Sequence, residues 1–281
     1  GFKIVSNSDT NNATTVDKGI VIEDATSGAT AGSQFVWIPV GKIYTDVSKT
    51  EANTKTIELG RYEFDKTTGT KSAYSGSYVE EDKGDTNTTL KNYGNTIAKN
   101  ITNFKNSVAA NGGYYIGRYE ARTTTERTTS GNTLTQITEK GTDQVYNYVT
   151  QLQAANQAQN MYSSNKFTSD LMNSYAWDTA TLFLQTCGKE KYSIKTSVNN
   201  SSASKGTNAS EYTGTRDNVC NVYDMASNIM EWTTETSDNS DFPCIARGGN
   251  YNDSSVYTCE HHIRSISSSY DRVGFRPLLF V

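Results

Sequence analysis

The chain has 281 residues, 35% of them hydrophobic, with a formal net charge of −4 and no basic run. That length can bury a real core in one large domain or two small ones, and the charge disfavours nucleic acid and anionic membrane as partners. No apolar stretch approaches the roughly 18–20 residues that a membrane span needs.

The opening, "GFKIVSNSD", has no initiator methionine and no signal segment, so the chain reads as a trimmed piece whose leader or anchor lies elsewhere. "GIVIEDA" (19–25), "QFVWIPVGKI" (34–43) and "IELGRYEFD" (57–65) read as strands, rich in β-branched and aromatic residues between turn formers. Residues 66–96 are polar and turn-rich, an exposed excursion. The period then changes: Ile97, Ile101, Phe104 and Val108 make one apolar stripe of a helix, with Thr96 or Asn95 as cap and Gly112-Gly113 as stop. "YYIGRYEAR" (114–122) returns to strand. Helical patterns follow near 146–162 and over 169–188, the second with Leu171, Tyr175 and Leu182 on one side. Residues 189–219 are polar and irregular, and short strand and turn signals run from 221 to the end. No linker or internal repeat divides the chain, which predicts one α+β domain over 1–281 with long loops.

Tyrosine (18) outnumbers phenylalanine (9) two to one, a mix that with abundant Asn, Ser, Thr and Gly suits β-rich, loop-heavy architecture. Cysteines stand at 187, 220, 244 and 259 with no CxxC pair, which excludes zinc-ribbon and thioredoxin-like readings and leaves disulfides and buried free thiols both open. "CEHHIRS" (259–265) holds both histidines of the chain. Adjacent side chains on a strand point to opposite faces, so His261 and His262 do not easily grip one ion.

"NVYDMASNIMEWTTE" (221–235), "RGGNY" (247–251) and "VGFRPLLF" (273–280) occur in an order and spacing that resembles the formylglycine-generating enzyme (sulfatase-modifying factor) superfamily. Its pattern runs YDMxGNxxEW, then RGG(S/N)(W/Y), then GFR. "FVWIPVGKI", "YYIGRYEAR" and "SYAWDTATLFL" resemble its upstream strands and its Trp-containing helix, so the likeness covers most of the chain. It implies a C-type-lectin-like α+β fold with short twisted antiparallel strands, two to three helices and long loops. Physical roles follow for the framework: Gly248-Gly249 for a tight backbone passage, Trp232 and Phe275 as core aromatics, Arg247 and Arg276 as forks holding buried carboxylates or carbonyls.

The enzymatic branch carries a cysteine pair five residues apart that binds copper. Here Ser254 stands five residues before Cys259, and a single thiolate makes a poor copper site. The iron-dependent sulfoxide synthases of the superfamily need well-separated histidines, which this chain lacks. The branch that matches is non-enzymatic: the variable proteins of diversity-generating retroelements, in which adenine-directed mutagenesis rewrites the segment between the RGG and GFR motifs. Mutated AAY codons become NNY, which excludes Lys, Gln, Glu, Met and Trp. Between Asn250 and Val273 only Glu260 belongs to that set, against about one residue in six elsewhere. The segment is dense in Tyr, Ser, Asn, Asp and His, the mix that works in antibody loops.

The resemblance therefore implies a ligand-binding display domain, not an enzyme, with its variable region at 250–273. The expected contacts are Tyr251, Asn252, Asp253, Tyr257, His261, His262, Ile266, Tyr270, Asp271 and Arg272. The expected partner is an exposed protein or glycan on another cell or phage host, met at a cell surface or phage tail, with no direct membrane insertion. The alternatives are a degraded oxidase of the formylglycine type and a fixed-sequence carbohydrate-binding adhesin. No cofactor is required by this reading. The family's calcium turn maps to Asp224, Ser227, Ile229 and Glu231, oxygen ligands on one turn that suit a structural calcium ion.

Overall fold

The computed structural model describes residues 1–80, 101–162, 166–196, 217–253 and 255–281. Ten strands form two sheets. The larger contains β1 (Phe2–Val5), β2 (Val21–Asp24), β3 (Gln34–Pro39), β4 (Gly113–Gly117), β5 (Thr168–Leu171) and β10 (Pro277–Phe280), in the order β1-β2-β3-β4-β10-β5 and antiparallel throughout. The smaller contains β6 (Met230–Thr236), β7 (Cys244–Arg247), β8 (His261–Arg264) and β9 (Val273–Phe275), in the order β8-β7-β6-β9. Only the β6–β9 pairing is parallel.

The period-2 alternation of the strands sorts the core into two layers. Val21, Val36, Ile38, Tyr114, Ile116 and Leu278 share one cluster with Phe104 and Val108 of helix α1 (Ile101–Asn111) and with Trp177 of α3 (Ser174–Phe183). Their strand neighbours Ile22, Phe35 and Leu279 face the other way. They join Trp232 and Phe275 of the smaller sheet and Ala154, Ala155 and Ala158 of α2 (Gln151–Met161). Small residues on that face of α2 let the helix lie close to its neighbours. Trp177, Trp232 and Phe275 are all fully buried.

Several boundaries differ from the sequence expectations. The strand expected over 57–65 is broken between Ile57 and Tyr62, and the one over 114–122 ends at Gly117. Three further cases have identifiable causes. The expected helix over 169–188 begins only at Ser174. Residues Thr168–Leu171 instead form β5, paired with Phe280–Pro277, so a tertiary ladder overrides the local helical pattern. Asn173 then caps α3 by accepting from the Ala176 amide at 2.9 Å. The expected helix from 146 begins at 151, because Thr150 and Gln153 make a capping box and Tyr148 has φ +53°. The expected strand through 43 breaks at Val40, and Gly41 (φ +101°) opens a separate hairpin, Gly41–Tyr44 with Thr54–Ile57. The α1 stripe is buried at Ile101, Phe104 and Val108, while Ile97, Thr96, Asn95 and Ser254 lie outside the described residues.

Candidate ligand-binding site

Two buried ion clusters pin the smaller sheet. Arg276, at the end of β9, donates from Nε and Nη2 to the two carboxylate oxygens of Glu231 on β6, at 3.0 and 2.6 Å. Its remaining donors reach the carbonyls of Gly117 and Tyr223 at 2.8 Å each. Arg247, at the end of β7, donates to Glu235 at 2.9 Å and to Asp178 of α3. Glu235 also accepts from Arg61 at 2.7 Å. Burial pushes the Glu235 carboxyl up, but Arg247, His261 and Arg61 outweigh it and hold it well below the usual carboxylate range. Directly after Arg247, Gly248 turns at φ +77°, where a Cβ would come within 2.5 Å of the Met225 carbonyl. The backbone passes there only without a side chain.

On this frame β8 is the edge strand, and its side chains alternate. His262 donates a hydrogen bond from Nε2 to the Gly248 carbonyl at 2.9 Å, and burial pushes its pKa down to about 4. With it lie Asp253, Arg264 and Arg272, close enough to exchange charge effects. Arg272 sits 5.8 Å over the Tyr270 ring. The Tyr251 hydroxyl donates to Asp271 at 2.8 Å, and the Asp271 carbonyl accepts from Asn147. Asn252, Asp253, Ile266 and Tyr270 are exposed. The structure thus brings Tyr251, Asp253, His262, Tyr270, Asp271 and Arg272 to one side of the edge. Ile263, 38% exposed, alternates to the other side of the strand, with His261.

His261 faces elsewhere. Its Nε2 lies 3.3 Å from Glu235, and its ring packs beside Tyr74 and Tyr78. Tyr257 belongs to this second group, with Lys66 over its ring at 5.8 Å. Eight of the ten expected contacts therefore divide between two sides of β8, and Asn252 and Ile266 stand exposed in the flanking turns. Arg61, Tyr74 and Tyr78 join this site from a distant segment with no local motif, and the motif that contains Glu235 does not announce them as its partners.

The expected calcium turn holds a different arrangement. Both oxygens of Glu231 are taken by Arg276, and the Ile229 amide donates to the buried Glu120 at 3.1 Å. Asp224 Oδ2 and Ser227 Oγ are buried without hydrogen-bond partners. Burial, with the Asp217 charge beside it, pushes Asp224 up to about 7. Among the described residues no three His, Cys, Asp or Glu side chains are grouped to hold a metal ion.

All four cysteines are free thiols. Burial pushes Cys259 up to about 11, so its free thiol stays protonated near neutral pH.

The fold and frame define a C-type-lectin-like α+β domain built around a GFR arginine and an RGG turn. The chain belongs to the FGE-sulfatase family: residues 22–279 match the model described as sulfatase-modifying factor enzyme 1-like domain. No curated protein sequence matches it. Its structure is similar to that of Treponema denticola variable protein 1, at 13% identity and TM-score 0.47, over 91% of this chain and 99% of that one. It is also similar to CarF, at 13% identity and TM-score 0.36, over 48% of this chain and 67% of that one.

Proposed function

We propose that this protein is a non-enzymatic display domain that binds an exposed protein or glycan outside the cell through residues 250–273. One contrast carries the reading. Arg247, Phe275 and Arg276, which flank the segment, are wholly buried. Between them stand Ile263, Ile266 and Tyr270, three of the seven large hydrophobic residues that are exposed among the described residues. Three exposed apolar side chains within eight residues offer a partner contact area that the fold itself does not use. Neighbouring Tyr251, Asp271 and Arg272 add rigid rings and hydrogen-bonding groups of the kind used in paratopes. The low Lys, Gln, Glu, Met and Trp content of the same segment supports retroelement diversification as its origin.

The test is the DNA around the gene. A near-identical downstream template differing only at adenines, beside a reverse transcriptase, is expected; an intact locus without one would sink the diversified reading. Cu(I) titration tests the enzymatic alternative. A tight one-to-one complex lost in Cys259→Ser would favour an oxidase.

A further inference from the structure

The side of β8 that carries His261 opens on a pocket of about 420 Å³, within the roughly 300–1,000 Å³ of small-molecule sites. Its walls include Tyr62, Phe64, Tyr74, Tyr78, Glu260 and His261. The His261 ring centroid lies 5.7 Å from that of Tyr74 and 5.1 Å from that of Tyr78, so the three rings form one continuous wall. Buried behind it, Arg61 and Arg247 hold Glu235 in place.

Charge narrows the occupant. A cationic ligand would look for open aromatic faces, but the protein's own cations are already seated there. The Arg61 guanidinium is 4.1 Å from the Tyr74 ring and the Lys71 ammonium 4.5 Å from Tyr62. An anionic ligand would meet Glu63 and Glu260 on the wall and Glu235 beyond His261, while the wall's Lys66 is already paired with Glu260 at 2.9 Å. A wall that carries both signs, with Lys66 and Glu260 neutralising each other, favours a ligand without net charge.

Hydrogen-bonding capacity narrows it further. The Ser77 and Tyr78 hydroxyls are accessible and make no hydrogen bond among the described residues. Among the described residues Glu63 accepts only from the amide and hydroxyl of Ser75, which leaves lone pairs for a ligand. A purely apolar side chain from a peptide would cover these groups without pairing them, at a cost. An uncharged ring with an apolar face and hydroxyls at its edge fits all three constraints.

We propose that the pocket binds a neutral pyranose of a glycan. Its C–H face lies against the Tyr78 and His261 rings, a weak but recurrent contact, and its hydroxyls meet Ser77, Tyr78 and Glu63. This rests on the preceding reading only for His261, the one wall ring supplied by the 250–273 segment. Residues 62–78 supply the rest.

The test is saturation-transfer NMR on the full chain with the methyl glycosides of glucose, galactose, mannose and N-acetylglucosamine. Glucuronic acid, glucosamine and phenylalanine amide serve as counter-probes. At least one neutral glycoside should bind, weaken about tenfold in Tyr78→Ala and in Ser77→Ala with melting unchanged, and be indifferent to Tyr270→Ala on the opposite side. Binding by none of the four, binding by the counter-probes alone, or neutral binding that ignores both pocket variants would overturn the proposal. Sugar binding in the absence of an adenine-directed template would sink only the diversification reading, and a ligand lost in Tyr270→Ala without any sugar binding would sink only the pocket.

Discussion

Arg276 and Glu231 meet through two parallel hydrogen bonds, at 3.0 and 2.6 Å, with both side chains wholly out of solvent. The same guanidinium reaches the carbonyls of Gly117 on β4 and Tyr223 ahead of β6, so one side chain ties the two sheets to the turn between them. Five donors in a planar fork suit this geometry, and a lysine ammonium does not reproduce it.

Removing Arg276 leaves a buried carboxylate and two carbonyls without partners. Arg276→Ala should cost about 3–5 kcal/mol, read from denaturant midpoints, and Arg276→Lys should recover only part of it. Full recovery by lysine would show that charge alone, rather than the fork, matters.

Calcium should leave stability unchanged. An ion that binds only the folded chain raises melting by mass action, but the Glu231 carboxylate is held by Arg276 and Asp224 is pushed toward its neutral form. Melting curves in excess calcium and in chelator should superimpose. A calcium-dependent rise that disappears in Asp224→Asn would restore the turn as a cation site.

His262 makes acid sensitivity predictable. Burial lowers its folded pKa to about 4 from an ordinary 6.5. Between these values the unfolded chain binds the extra proton, so stability should rise with pH across this window and fall as pH drops through it. The imidazole's share is at most about 3–4 kcal/mol, about 2.5 pH units at about 1.4 kcal/mol each. His262→Gln should flatten the stability curve between pH 6.5 and 4, and an unchanged slope would place the acid sensitivity on other groups.

The framework was legible in the sequence because its signals are local. Gly248, Trp232, Phe275 and Arg276 sit in short motifs whose chemistry allows few roles, and the Thr150–Gln153 capping box is visible as a Thr-x-x-Gln spacing. The pocket was not legible. Arg61 meets Glu235 across 174 residues and Lys66 meets Glu260 across 194, and nothing in either neighbourhood announces the partner. Residues 168–171 misled for the reverse reason. "TSDLMNS" carries a plausible helix start, but pairing with β10 decides its conformation. Alternation on β8 also explains why "HHIR" could not be read as one surface: its two histidines serve opposite sides.

The sharpest comparison sets the exposed side chains between the RGG and GFR motifs against the core beneath them. Ile263, Ile266 and Tyr270 are 38%, 55% and 43% exposed, and exposed substitutions usually change stability by less than about 0.5 kcal/mol. Tyr270 does hold the Tyr148 amide, but through its backbone carbonyl, which a side-chain change leaves in place. Phe275 is wholly buried, packed edge-on to Tyr146 at 5.6 Å, and Phe275→Ala should open a cavity costing about 3–5 kcal/mol. The triple variant Ile263→Ser, Ile266→Ser, Tyr270→Ser should therefore melt close to the parent and remain monodisperse, with less apolar surface for a hydrophobic dye to bind. Phe275→Ala should lose most of its cooperative transition. If the triple variant unfolds while Phe275→Ala survives, the side chains between the RGG and GFR motifs belong to the fold, and the display reading fails.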